Sequence, residues 1–254
     1  MYSYSDLWRA LEASEIKRSG TLLIHSSMKS IGEVNGGADT VLKVFMDYLE
    51  DGLLLFPTHT WEDWNLVGGI YDPRFEKSCV GLLPNLFMKK KGVFRSLHPT
   101  HSVAAYGKRA QEYIKRDEES FTPCPAKGCF GGLYDEDAQI LFLGVPLTKN
   151  TYIHSLEEQL NVKNRINPKE RRIKIVQPNS SLKEIEFHGH FSTLGDVSKN
   201  YGKILQPMLS FGYAKSFSFG QAECYLVEVR PMTKWVLAKL EENPDLFCDN
   251  IEII

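Results

Sequence analysis

Between residues 150 and 158 the chain reads NTYIHSLEE, which places His154 three residues before Glu157 and four before Glu158. In a helix those spacings bring side chains onto one face, so an imidazole and a carboxylate would meet there. A carboxylate that orients an imidazole makes it a competent general base near neutral pH, provided the pair lines a cleft where a substrate can deliver its proton. On an open surface the same residues make only a solvated pair. Three further segments carry groups of the same kind: His25-Ser26-Ser27, Thr58-His59-Thr60, and RSLHPTHS over residues 95–102. With His154 they hold five of the seven histidines, which points to one shared site.

The elements that must position these groups are legible in the hydrophobic pattern. Residues 21–25 (TLLIH) and 53–57 (LLLFP) are short, continuously apolar runs. Between them, residues 38–50 keep Val41, Leu42, Phe45 and Leu49 on one helical face before Asp51-Gly52 ends the helix. A strand, helix, strand order of this kind builds parallel sheets with both faces covered. Further strands are expected at 102–106, 139–144 and 222–229, and further helices at 1–16 (capped by Ser5 or Asp6), 108–115, 153–161, 195–205 and 232–242. Two alternating runs, RRIKIVQ and KEIEFHG, flank Pro178-Asn179-Ser180-Ser181 and read as an antiparallel hairpin outside the core. The expected fold class is therefore α/β: a single layered α/β/α domain over residues 1–254, with a central mostly parallel sheet and an added antiparallel hairpin. In such sheets ligands bind beyond the carboxyl ends of the strands. His25 to Ser27 and Thr58 to Thr60 fall at such ends, and residues 95–102 lead into a third strand.

Hydrophobic residues make up 43% of the 254 and charged residues 24%, with a formal net charge of −2. This balance suits a soluble globular enzyme and argues against a general nucleic-acid binder. No stretch approaches the roughly 20 apolar residues of a membrane span, and residues 1–16 lack the basic-then-apolar pattern of a secretory signal. Five scattered cysteines without Cys-x-x-Cys spacing fit a reducing, cytoplasmic setting better than a disulfide framework. The run 25–40 (HSSMKSIGEVNGGADT) offers hydroxyls, glycines and a helix start, a combination suited to phosphate. It is neither a Walker loop nor a dinucleotide fingerprint, and it reads equally as a glycine turn. Metal ligation is not expected: Pro99 breaks the helical geometry of His98-x-x-His101, and neither that pair nor His188-x-His190 has an evident third ligand. Cys124 and Cys129 read as small core or loop residues, because no identifiable helix start or basic setting near them would lower a thiol pKa.

Taken in order, these motifs resemble the aminoglycoside 3-N-acetyltransferase family, which is acyl-CoA-dependent and distinct in fold from the GNAT acetyltransferases. The resemblance runs nearly the length of the chain: the strand with His-Ser-Ser and a Gly-Gly helix start over 23–40, Pro57 to Thr60, Arg95 to Ser102, Asn150-Thr151 with His154 and Glu157, then Gly212 to Ala214 and Asn243 to Phe247. It implies acetyl-CoA or another acyl-CoA as co-substrate, and His154 as the catalytic histidine supported by Glu157. It also implies a CoA side formed by His25, Ser26 and Ser27 with Arg95, Ser96 and Ser102. Thr58, His59, Trp61, Glu62, His98 and Glu158 are expected on the acceptor side, Glu158 from helical spacing alone, and oxyanion donors are expected near Ser102. The acceptor stays open. A basic run, Lys163, Arg165, Lys169, Arg171, Arg172 and Lys174, suits an anionic nucleotide-linked amino sugar of surface-polysaccharide synthesis. Glu62, Asp63 and the aromatics Trp61, Trp64 and Tyr71 suit a cationic aminoglycoside instead. A non-catalytic CoA- or nucleotide-binding module is the competing class, and it would have no use for the His154/Glu157 pair.

Overall fold

The computed structural model of the chain describes residues 1–61 and 69–253. In chain order the elements begin with α1 (Tyr4–Glu12), β1 (Thr21–Ser26), α2 (Gly37–Tyr48), β2 (Leu53–Pro57), β3 (Ile70–Tyr71), α3 (Leu82–Phe87), β4 (Phe94–Arg95), β5 (Val103–Gly107) and α4 (Ala110–Tyr113). They continue with β6 (Gln139–Leu143), α5 (Tyr152–Gln159), β7 (Arg171–Val176), β8 (Leu182–Phe187), α6 (Leu205–Ser210), β9 (Ala214–Phe219), β10 (Ala222–Glu228) and α7 (Val229–Glu242).

A seven-stranded sheet in the order β4-β5-β2-β1-β6-β10-β9 forms the centre. β2, β1 and β6 pair in parallel, and both flanks are antiparallel. Only β5 and β10 run against the rest, so five of the seven strands share one direction, as the expected mostly parallel sheet requires. The parallel strands are apolar throughout because both their faces are covered. Leu22 and Ile24 of β1, Leu54 and Phe56 of β2, and Leu141 and Leu143 of β6 pack on one side with Leu7, Leu11, Val41 and Phe45 from α1 and α2. Their alternating neighbours Leu23, Leu53, Leu55, Ile140 and Phe142 pack on the other side with Ile153 and Leu156 of α5 and Met232, Val236 and Leu240 of α7. Period-two alternation thus produces the three layers. Fully burying such a side chain contributes about 1.5–3 kcal/mol.

The expected hairpin is β7-β8, antiparallel from Arg171↔Phe187 to Val176↔Leu182. It lies outside the main sheet and is joined by β3 into a second sheet of three strands with its own small core of Tyr71, Ile173, Ile175, Ile185 and Phe187. Three local expectations are corrected. Ser3, not Ser5 or Asp6, caps α1, in a box where Ser3 Oγ accepts from the Asp6 N–H and the Asp6 carboxylate accepts from the Ser3 N–H. The helix expected over 195–205 is a 3-10 segment, Val197–Ile204, that passes into α6. The edge strand β9 (AKSFSF) escaped the pattern because it is only partly buried. Among the described residues no helix is long and apolar enough to cross a membrane.

Candidate active site

The carboxyl ends of β1, β2 and β6 open onto a cavity of about 980 Å³. β1 delivers His25 and Ser26, β2 is followed by His59 and Trp61, and β6 leads through Lys149, Asn150 and Thr151 into α5 with His154. Because β5 runs antiparallel to β2, the residues before it rather than after it reach this edge, which brings Thr100 and His101 to the wall. The sharp exit from β6 depends on Gly144 at φ +63, where a Cβ would collide with the Ser30 side chain. The far wall comes from chain beyond α5. An isolated bridge between Ile166 and His190, with Asn167 N–H to Gly189 O at 2.9 Å and Phe191 N–H to Arg165 O at 3.0 Å, folds the end of β8 back so that His190 faces α5. The 3-10 segment then adds Tyr201.

His154 and Glu157 are not a solvated surface pair: the Glu157 side chain is 1% exposed and that of His154 16%. Their direct approach, Nδ1 to Oε2 at 3.4 Å, is long for a hydrogen bond. Tyr201 fills the gap, with Oη 2.6 Å from Glu157 Oε2 and 2.8 Å from His154 Nδ1. The hydroxyl has one proton to give. Donated to the carboxylate, it leaves Oη to accept from His154 Nδ1–H, and the His154 lone pair then sits on Nε2. Arg165 Nε donates to the other carboxylate oxygen at 2.6 Å. Burial alone would raise the Glu157 carboxyl; the nearby His154 ring, the charge of Arg165 and the Tyr201 hydroxyl outweigh it and hold the group below its ordinary value. Burial, then the adjacent carboxylate, push the Tyr201 hydroxyl well up, so it stays protonated.

Around His154 three other histidines are packed ring to ring: His190 at 4.0 Å between centroids, His101 at 4.9 Å from His190, and His59 at 4.7 Å from His101. Burial lowers His59, His101 and His190 well below the ordinary histidine range, with neighbouring histidines adding to the effect. His25, stacked on Phe142 and near Lys149, is pushed down to about 3, first by burial and then by the lysine charge. These rings are therefore neutral donors or acceptors at pH 7. His25 Nε2, Ser26 Oγ, His59 Nδ1, Asn150 Oδ1 and His190 Nε2 are buried without a hydrogen-bond partner, and all belong to residues of the cavity wall. Such groups cost stability and mark where a ligand would supply partners.

The structure sorts the sequence-predicted residues into wall and support. His25, Ser26, His59, Trp61 and His154 line the cavity. Glu157 stands behind His154. Ser27, Thr58, Arg95, Ser96, His98, Ser102 and Glu158 are not among the residues that line this cavity. The Arg95 guanidinium is spent on Ser102 Oγ and the carbonyls of Pro73, Glu76 and Thr58, which pins the approach to β5 against β2. Ser96 bonds Asp117, and the Ser102 hydroxyl donates to the Thr58 carbonyl. Ser27 Oγ accepts from Ser30. His98 donates from Nε2 to the Thr122 carbonyl while Nδ1 accepts the His101 N–H at 2.8 Å, which fixes the turn that presents His101. Glu158, one residue past Glu157, turns from His154 to the Thr122 hydroxyl and the Cys124 N–H; its carboxyl is raised by burial against those two bonds.

The glycines of 25–40 serve the turn: Gly32, Gly36 and Gly37 have positive φ, and Val34 bridges Tyr2 away from the cavity. Tyr71 is buried in the small core and is not available to a sugar ring. Cys124 and Cys129 are buried, with thiols pushed well up by burial, as core residues should be. Glu62, Asp63 and Trp64 lie outside the described residues. Of the basic run, Arg165 is buried against Glu157 and Arg171 lines the cavity, while Lys163, Lys169, Arg172 and Lys174 are exposed. Tyr201 and His190 escaped as site residues because they come from elements that only tertiary packing places beside α5.

A family model described as aminoglycoside 3-N-acetyltransferase matches residues 23–241. The chain is similar to the SPbeta prophage-derived aminoglycoside N(3')-acetyltransferase-like protein YokD of Bacillus subtilis (strain 168), 28% identical over 178 residues that span 62% of this chain and 65% of that protein, just under two thirds of its length. It is similar also to aminoglycoside N(3)-acetyltransferase IX of Micromonospora chalcea, 25% identical over 259 aligned residues covering 89% and 90% of the two chains. Among solved structures, AAC-IIIb in a binary complex with CoASH shares the fold, with a TM-score of 0.81 at 20% identity over 94% of this chain and 96% of that one.

Proposed function

Since the chain belongs to the aminoglycoside 3-N-acetyltransferase family, we propose that it is an acyl-CoA-dependent N-acyltransferase, one domain over residues 1–254, that moves an acetyl or related short acyl group onto an amine of an amino sugar. The reading rests on one observation, the bonded chain from His154 through Tyr201 to Glu157 at the wall of the cavity.

A protonated amine cannot attack a thioester, so the acceptor's ammonium first gives up one proton to solvent, and His154 Nε2 takes a second from the nitrogen as it adds to the acyl carbonyl. The positive charge on the ring is balanced by Glu157 through Tyr201. Collapse of the tetrahedral intermediate breaks the carbon–sulfur bond, and the thiolate of CoA recovers the proton from His154. No covalent acyl-enzyme is needed. For the oxyanion we assign the Ser26 hydroxyl, which is buried and unpartnered at the wall. His25, Ser26 and Lys149 form the CoA side in this reading, with Ser27, Arg95, Ser96 and Ser102 bracing it from behind. His59 and Trp61 form the acceptor side, with Thr58, His98 and Glu158 behind them.

An aminoglycoside is the first reading of the acceptor, because it is the family's named substrate class. A nucleotide-linked amino sugar is the second, favoured by the exposed Arg171 on the cavity wall. The test incubates the protein with acetyl-CoA and a panel of both acceptor types and follows released thiol. Release with kanamycin-like polycations supports the first reading, and release with nucleotide amino sugars alone supports the second. CoA binding without release to any acceptor would reduce the protein to a binding module.

A further inference from the structure

Neither histidine pair in the sequence makes a metal site by itself, yet the fold takes one member of each. Outside the His154–Tyr201–Glu157 chain, His101, Cys124 and His190 bring one ligand atom apiece within 4.8 Å of one another. His101 comes from the turn before β5, Cys124 from the loop that caps Glu158, and His190 from the end of β8. The His101 Nδ1 is engaged by the Thr100 hydroxyl at 2.9 Å, which frees its Nε2. His190 Nε2 is buried with no partner, while the Arg165 backbone takes a hydrogen bond from the ring. Imidazoles held through one nitrogen and bare at the other are the usual form of histidine ligands.

We propose that His101, Cys124 and His190 bind a soft divalent cation, zinc above all, and that the bound ion inhibits the enzyme. A set of two imidazoles and a thiolate is the donor chemistry of tetrahedral zinc, and none of the three ligand atoms is the oxygen that hard cations prefer. Zinc–nitrogen bonds of about 2.0–2.1 Å and a zinc–sulfur bond of about 2.3 Å need ligand atoms roughly 3.3–3.8 Å apart, so side-chain rotations of about an ångström close the site. Binding releases the thiol proton of Cys124 and leaves a fourth position for water. The ion then lies against the His190 ring, whose centroid is 4.0 Å from that of His154. It competes there for the Nε2 lone pair that would accept the acceptor's proton. The ion is an inhibitor, not a participant in transfer. The inhibitory half rests on the role proposed for His154; binding itself does not.

Two readouts test the site. Cobalt added to the purified protein should give a thiolate-to-cobalt charge-transfer absorption that saturates at one equivalent and is absent from Cys124→Ser. Absence of the band in the wild-type protein, or an equal band in the variant, overturns the site whatever the protein's activity. Zinc should inhibit CoA release, EDTA should restore it, and Cys124→Ser, with unchanged activity in EDTA, should need about 10–100-fold more zinc for the same inhibition. Equal sensitivity of the two proteins overturns the inhibitory role. Cys124→Ala, checked for fold by CoA binding, replaces the serine variant if that one is unstable. A protein that releases no CoA with any acceptor but gives the cobalt band would sink the transferase reading and leave the metal site standing.

Discussion

The Tyr201 hydroxyl has one proton and two acceptors within reach, Glu157 Oε2 and His154 Nδ1, and the buried carboxylate is the stronger of them. That choice sets the tautomer of His154, so Tyr201 is a positioning residue for the proposed base. In Tyr201→Phe the buried carboxylate oxygen and the ring nitrogen lose their link, at a cost of about 1–3 kcal/mol. If the loss appears in the barrier, kcat falls roughly tenfold to a hundredfold with KM for acetyl-CoA nearly unchanged. Steady-state kinetics check this, and a wild-type kcat would remove Tyr201 from the mechanism. His154→Ala should slow transfer by about 10²–10⁴-fold while calorimetry finds CoA affinity nearly intact; near-normal turnover would remove His154 as well. At this scale the spacing singles out His154 with either glutamate, and the family resemblance prefers Glu157 to Glu158. Neither gives a signal for Tyr201, which lies 47 positions from His154 and pairs with it only in the folded chain.

Helix α5 holds His154 in place because it is tied to the segment that follows it. The Arg165–Glu157 pair, with side chains 4% and 1% exposed, connects the helix to the chain that enters the hairpin and carries His190 back. Removing one member strands a buried charge, so Arg165→Ala should lower stability by about 3–5 kcal/mol, read as a reduced midpoint in urea. A loss below about 1 kcal/mol would mean that the pair is effectively solvated. The basic run suggests a recognition surface, yet its most buried member pairs with Glu157 on the helix that carries His154. β5 shows the same limit: its apolar pattern made it legible as a strand, but not its reversed direction, and direction decides that His101 at its start, rather than its far end, reaches the cavity.

The whole molecule keeps a group of histidines neutral inside a folded wall, and this has a consequence for acid stability. His25 is the clearest case, with its pKa lowered from 6.5 to about 3. Below pH 6.5 the unfolded chain takes up a proton at this residue that the folded chain refuses until about pH 3, so stability falls through that window and does not depend on His25 above it. Urea unfolding as a function of pH should show the decline beginning near 6.5, and His25→Asn should flatten it; parallel curves for the two proteins would rule the effect out.

The sequence by itself determined the layered α/β class, the hairpin, the strand ends that supply polar groups, and the His154/Glu157 spacing, because these depend on periodicity and on neighbours within a helical turn. Only the tertiary structure decided which of those groups form the wall, that Tyr201 stands between His154 and Glu157, and that one histidine from each of two pairs meets Cys124. Strand direction and the return of the chain after β8 are set by packing between distant segments, and no local pattern encodes them.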